Sequence, residues 1–154
     1  MHSTPFDQLD DLLTRIHVAR QRPSWRRRLL ADADPVTSVS TLRTLRAVEH
    51  HQRSGAGASI GDVADYLAVE HSTASRTVSA VVAAGLITKS TAAEDQRRSV
   101  LVLTDIGVKA LAAVTDRRRE LVAETVADWD PADVNRLVAL LDRLTRQFEE
   151  TGCR

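Results

Sequence analysis

Between Ser59 and Thr104 the hydrophobic period changes from helical to strand-like within one short stretch, and that change limits what the chain can build. Ile60, Val63, Ala64 and Leu67 recur at helical spacing, beginning beside Ser59-Ile60-Gly61-Asp62, a serine followed three residues later by an acid, close to a capping box. After the link Val69-Glu70-His71, Ser72 is placed to cap a second short helix. Its Ala74, Val78, Val81 and Val82 face inward, and Gly85 closes it at the left-handed position. The runs 86–90 and 99–103 are apolar or β-branched and are separated by the polar segment TAAEDQRR. Two helices joined by a tight turn and followed by a hairpin with a charged tip predict a winged helix-turn-helix.

The flanks are helical. Phe6, Leu9, Leu13 and Ile16 form an amphipathic stripe that Pro23 ends or kinks, and Ser24 is a candidate cap for the short helix SWRRRLLAD before Asp34-Pro35 breaks the chain. From Ser38 a helix carries Leu42, Leu45 and Val48 up to QRSGAGA, where Gly55 and Gly57 permit a reversal. Thr104 starts a long helix predicted to reach Trp129. Asp130-Pro131-Ala132-Asp133 then starts another, with Val134, Leu137, Val138, Leu141, Leu144 and Phe148 in one stripe. The expected fold is mainly α with a small two-stranded β wing, a single domain over 1–154. The winged helix-turn-helix spans about 38–104, between helices at about 5–33 and 105–150.

Lysine plus arginine equals aspartate plus glutamate at 21 each, so no global basic field marks a polyanionic partner, and any nucleic-acid footprint must be local. No apolar run reaches membrane-spanning length and the start MHSTPFDQLDD is acidic, so a cytoplasmic protein with no membrane partner is expected. Duplex DNA suits the pattern. A helix enters the major groove, where base edges carry a distinguishable code, and an arginine-bearing loop fits the electronegative minor groove. On the second short helix Ser72, Thr73, Ser75 and Arg76 lie off the apolar face, with hydroxyls suited to phosphates and an arginine able to grip guanine or phosphate bidentately. Lys89 and Arg98 fit phosphate contacts and solvated hairpin residues equally well. The run Arg26-Arg27-Arg28 beside Trp25 looks like a basic patch, yet it points around all faces of a helix and reads better as a solvated surface or as salt bridges to Asp32 and Asp34.

The segments SVSTLRTLRAV, SIGDVADYLAV, HSTASRTVSAVVAAGLI and EDQRRSVLVLTDIG together resemble the multiple-antibiotic-resistance regulator (MarR) family of winged-helix transcription factors, from Ser38 through Gly107. That family's wing carries an aspartate, one intervening residue and an arginine, here Asp95 and Arg97, and its threonine and glycine after the second strand match Thr104 and Gly107. The resemblance implies that Arg97 enters the minor groove while Asp95 shapes the wing. It also implies that the terminal helices interleave between two subunits, although the same stripes could pack on each other within one chain. The implied function is a homodimeric, ligand-responsive repressor on a pseudo-palindromic operator of double-stranded DNA. The alternative is a winged helix that binds protein and not DNA.

A small-molecule inducer is a further expected partner, with Trp25, Arg46, His50 and Trp129 as candidate lining residues. His50 and His51 are adjacent and diverge around a helix, and no cysteine or carboxylate stands at ligand spacing with them, so no metal site is expected. Some relatives sense oxidants through a cysteine in the amino-terminal helix. The only cysteine here is Cys153, which does not inherit that role. No catalytic constellation, phosphate loop or cofactor motif appears in the sequence, so an enzyme is not expected.

Overall fold

The computed structural model describes residues 4–92 and 95–152, and of residues 91, 92 and 95–98 the backbone alone. The chain forms two compact units, residues 1–117 and 118–154. The first unit holds α1 (Pro5–Gln21), α2 (Pro23–Leu30), α3 (Val39–Arg53), α4 (Ile60–Leu67), α5 (His71–Ala83), β1 (Ile87–Ala92) and β2 (Asp95–Leu103). Helix α6 (Asp105–Thr125) begins in the first unit and ends in the second, and α7 (Pro131–Gly152) lies in the second. The order is the mainly α, two-stranded winged-helix arrangement that the hydrophobic periods imply.

Helices α3, α4 and α5 pack on one another and on the β1–β2 hairpin. Leu45 and Val48 of α3, Val63 of α4, Val78 and Val81 of α5, and Leu86, Ile87 and Leu101 of the wing are essentially inaccessible to water. Each such side chain contributes roughly 1.5–3 kcal/mol of transfer free energy, which is what holds three short helices together. Thr44 is the buried polar exception among the described residues, and its hydroxyl donates to the Ser40 carbonyl at 2.9 Å, so that hydroxyl is not stranded. Polar links reinforce the packing. Arg43 donates to the Leu67 carbonyl that ends α4, and the Gln52 amide oxygen accepts from the Leu103 backbone at 3.1 Å.

Helix starts differ from the sequence reading in two places. Helix α2 begins at Pro23 with Arg22 as its cap residue, not Ser24, because a proline's fixed φ and missing N–H suit the first helical position. Helix α5 begins at His71 after Glu70, not after Ser72. The Glu70 carbonyl already accepts from Thr73 and Ala74 at 3.0 Å each, which leaves Ser72 inside the first turn. The capping box at Ser59 and Asp62 forms as expected, and an analogous box joins Thr4 to Asp7. The Thr4 hydroxyl and backbone N–H both donate to Asp7, which holds that carboxyl below its ordinary value.

The turn between α4 and α5 is made by Ala68, which adopts φ 53° and ψ 49° while Val69 N–H donates to the Ala64 carbonyl. A residue with a Cβ in the left-handed region costs about 1 kcal/mol, and here that conformation makes the sharp turn. After α5, Gly85 takes the same region at φ +75° without penalty. The wing is longer than the apolar runs alone indicate. Its strands pair from Ile87–Leu103 to Ala92–Asp95, so much of the expected polar loop is strand backbone, and an irregularity between Thr91 and Ala92 puts residues 96–98 opposite no partner. A third segment joins the sheet where Leu101 N–H donates to Ala58 O at 2.7 Å.

Thr104 knits the base of the wing to α6. Its N–H donates to Leu86 O at 3.1 Å, its hydroxyl donates to Gly85 O at 2.7 Å, and the same hydroxyl accepts from Gly107 N–H at 3.0 Å. Gly107 lies so close that a Cβ there would stand 2.1 Å from Leu86 O. Helix α6 ends at Thr125, short of Trp129, because Val126, Ala127 and Trp129 donate to carbonyls three residues back and tighten the chain out of the α register. Asp130 then accepts from Ala132 N–H at 2.8 Å and Pro131 opens α7, as expected.

Candidate nucleic-acid interface

One face of α5 is spent on the core and the other is offered to solvent. Ala74, Val78 and Val81 are buried, whereas Ser72, Thr73, Arg76 and Ser79 are exposed and Ser75 is half-buried. The spacing predicted from sequence therefore puts Ser72, Thr73, Ser75 and Arg76 on one accessible helical surface. Lys89 is exposed on β1. Asp95, Arg97 and Arg98 have strand backbone in β2, and their side chains lie outside the described residues, as does Cys153 altogether.

A polar concavity of about 400 Å³ opens beside α5, lined by Ser38, Ser40 and Thr41 of the α3 start together with Thr73, Arg76, Thr77 and Ala80. The Ser38 hydroxyl accepts from Thr41 N–H at 3.1 Å and so fixes that rim, while the Thr77 hydroxyl donates to the Thr73 carbonyl at 3.0 Å. Hydroxyls and a guanidinium, with no carboxylate among the described lining residues, make a surface suited to phosphate oxygens. Sequence reasoning missed the contribution of Thr37 through Thr41, because the hydroxyl-rich run TSVST reads as a helix cap and nothing more.

Of the candidate ligand residues, Arg46 and His50 lie one turn apart on α3 and Trp25 lies half-buried on α2. Trp129 stands in the turn between α6 and α7 and is 47% exposed. His50 is paired with a neighbour the sequence did not indicate, the Tyr66 ring of α4 at 5.3 Å between centroids. Among the described residues no group of histidine, cysteine, aspartate and glutamate is arranged to hold a metal ion. Among them, too, no helix is long and apolar enough to cross a membrane.

Comparison with known proteins agrees with this geometry. Residues 36–98, which contain α3, α4, α5 and most of the wing, match the MarR family model. No curated protein matches the sequence. Among solved structures, a MarR family protein from Bacillus stearothermophilus is 15% identical with a TM-score of 0.77, covering 97% of this chain and 99% of that one. RV1404 from Mycobacterium tuberculosis is 24% identical with a TM-score of 0.74, covering 96% and 97%. S. aureus MepR in complex with DNA is 22% identical with a TM-score of 0.61, covering 96% and 99%, and MepR bound to ethidium bromide is 21% identical with a TM-score of 0.62, covering 90% and 95%. The family model thus falls on the helix-turn-helix and most of the wing, and the winged-helix fold is shared with these solved structures along nearly the whole chain.

Proposed function

We propose that the protein is a sequence-specific DNA-binding transcriptional regulator, a homodimer that represses from a pseudo-palindromic operator and responds to a small molecule. The observation that carries this reading is the split character of α5, whose buried alanine and valines fix its position while Ser72, Thr73, Ser75 and Arg76 face outward. A helix held this way can enter a major groove without rearranging the core. Arg97 is the proposed minor-groove residue of the wing, with Asp95 shaping it and Lys89 and Arg98 contributing phosphate contacts. Dimerisation is supported by α1, none of whose residues is buried, and by α7, where Val138 and Phe148 are each 61% exposed. That MepR has been captured with DNA and with ethidium bromide supports, by analogy, an operator and an inducer for this chain.

The test is a specificity measurement. Duplexes selected from a random library are titrated by fluorescence anisotropy at one fixed salt against wild type and Arg76→Ala. Loss of the Arg76 contact is expected to cost on the order of 1–3 kcal/mol and to relax preference at one base position per half-site. Uniform weakening across all sequences makes Arg76 a phosphate clamp and moves base reading elsewhere. Failure of the wild type to select any duplex removes the reading.

A further inference from the structure

The concavity beside Arg76 continues past α3. Ser38 and Ser40, which form one of its walls, also line a second concavity of about 570 Å³ whose other walls are Arg26, Arg27 and Leu30 of α2 with Thr37 and Val39. Because the two share Ser38 and Ser40, they form one track from α5 to α2. Arg76 stands at one end, Arg26 and Arg27 at the other, with hydroxyls between them, and among the described residues no carboxylate lines either part. Arg26 and Arg27 are both exposed. Of the two sequence readings, a solvated surface or salt bridges to Asp32 and Asp34, Arg26 takes the first, and it donates to the uncharged amide oxygen of Gln21, which leaves the guanidinium's charge undiminished.

We propose that this track seats the sugar-phosphate backbone of duplex DNA flanking the base pairs read by α5, with Arg26 and Arg27 holding phosphates outside the half-site. The inference rests on the DNA-binding reading and extends its footprint to α2. Three features support it. A chain whose 21 basic residues equal its 21 acidic ones has no general field to draw a polyanion, so its phosphate affinity must come from local cation clusters such as this one. A mixed lining, with Leu30 and Val39 among the hydroxyls and arginines, suits a polymer that presents both sugar faces and phosphate oxygens. The track also adjoins the exposed face of α5, and the backbone bordering a major groove must run beside the helix inside it.

The experiment compares Arg26→Ala/Arg27→Ala with wild type on two probes, a selected operator duplex trimmed to its half-sites and the same duplex extended by about ten base pairs on each side, roughly one helical turn. Anisotropy titrations run across a salt series. Wild type is expected to gain about tenfold from the extensions, and the double variant to lose that gain while keeping its base preferences. Each arginine that holds a phosphate should lower the salt slope by about 0.9, so a dimer with two in each subunit loses about 3.6. Arg28→Ala removes the same charge from the same helix at a position that does not line the track, and should leave the slope unchanged. Arg26→Lys/Arg27→Lys should restore most of it, since a lysine also binds phosphate as a point charge. Unaltered melting temperatures establish that the variants fold. An unchanged slope in the double alanine variant, or an equal loss in Arg28→Ala, overturns the inference while the DNA-binding reading stands. Wild type that binds neither probe removes that reading and this inference with it.

Discussion

Helices α3 and α7 carry the same kind of apolar periodicity and meet opposite fates. On α3 the stripe of Leu42, Leu45 and Val48 is at most 2% exposed, whereas on α7 Leu137, Val138, Leu141 and Phe148 are 37–61% exposed. An amphipathic pattern therefore states that a face wants cover and says nothing about what supplies it. For α3 the cover is its own chain, in α4, α5 and the wing. For α7, and for α1 with Phe6 at 81% exposure, the described chain leaves the stripe open, and the proposed dimer is the reading in which a second copy closes it.

The comparison breaks most visibly at Leu45, which has no solvent exposure. Leu45→Ala should lower unfolding free energy by about 3 kcal/mol in denaturant titrations, within the usual range for a cavity left in a core. A loss below about 1 kcal/mol, on the same scale, would mean that the α3 face is not packed as described. Leu141→Asp sharpens the other side. It should leave the helical circular dichroism of the protomer intact yet weaken self-association by about 100-fold, equivalent to about 3 kcal/mol. Light scattering that finds the same dimer in variant and wild type places the interface elsewhere, and a monomeric wild type removes the dimer.

Smaller effects separate a fixed contact from a merely apolar one. Gly107→Ala should cost about 2 kcal/mol, since the new methyl must push the start of α6 away from a backbone oxygen that cannot rotate aside. An unchanged melting temperature contradicts the tight junction. The smallest effect has the opposite sign. Ala68→Gly should raise stability by roughly 0.5–1 kcal/mol by relieving the left-handed conformation between α4 and α5, and a melting temperature that falls shows the loss of the methyl to outweigh the strain.

The sequence made most of the fold legible because the periods were long and the stops were chemical. Ser59 with Asp62, Gly85, and Asp130 with Pro131 each mark a boundary by a side chain or backbone property that acts locally, and the structure places the boundaries there. Where competing local signals stand side by side, serine is the weaker one. Ser24 follows a proline that starts a helix by itself, and Ser72 follows a turn already set by Ala68. The wing strands extend beyond their apolar runs because charged residues can occupy strand backbone whose register is set by the apolar pairs behind them. At the site, the outward face of α5 was legible from spacing. The concavities were not, because they join Ser38 to Thr73 and Arg27 to Val39 through the fold, and no pattern along the chain records such neighbours.

The hydroxyl of Thr104 also has a kinetic meaning. It gives its proton to one carbonyl and receives one from Gly107, while the Thr104 amide is held by Leu86, so the turn after α5, the foot of the wing and the first turn of α6 share a single knot. Amide protons tied in this way exchange with solvent only when the knot opens, and opening it releases all three segments at once. The end of α5, the base of the wing and the start of α6 are thus expected to open as one unit. Deuterium entering Thr104 and Gly107 at the same rate as it enters the α5 core is the signature of that shared opening.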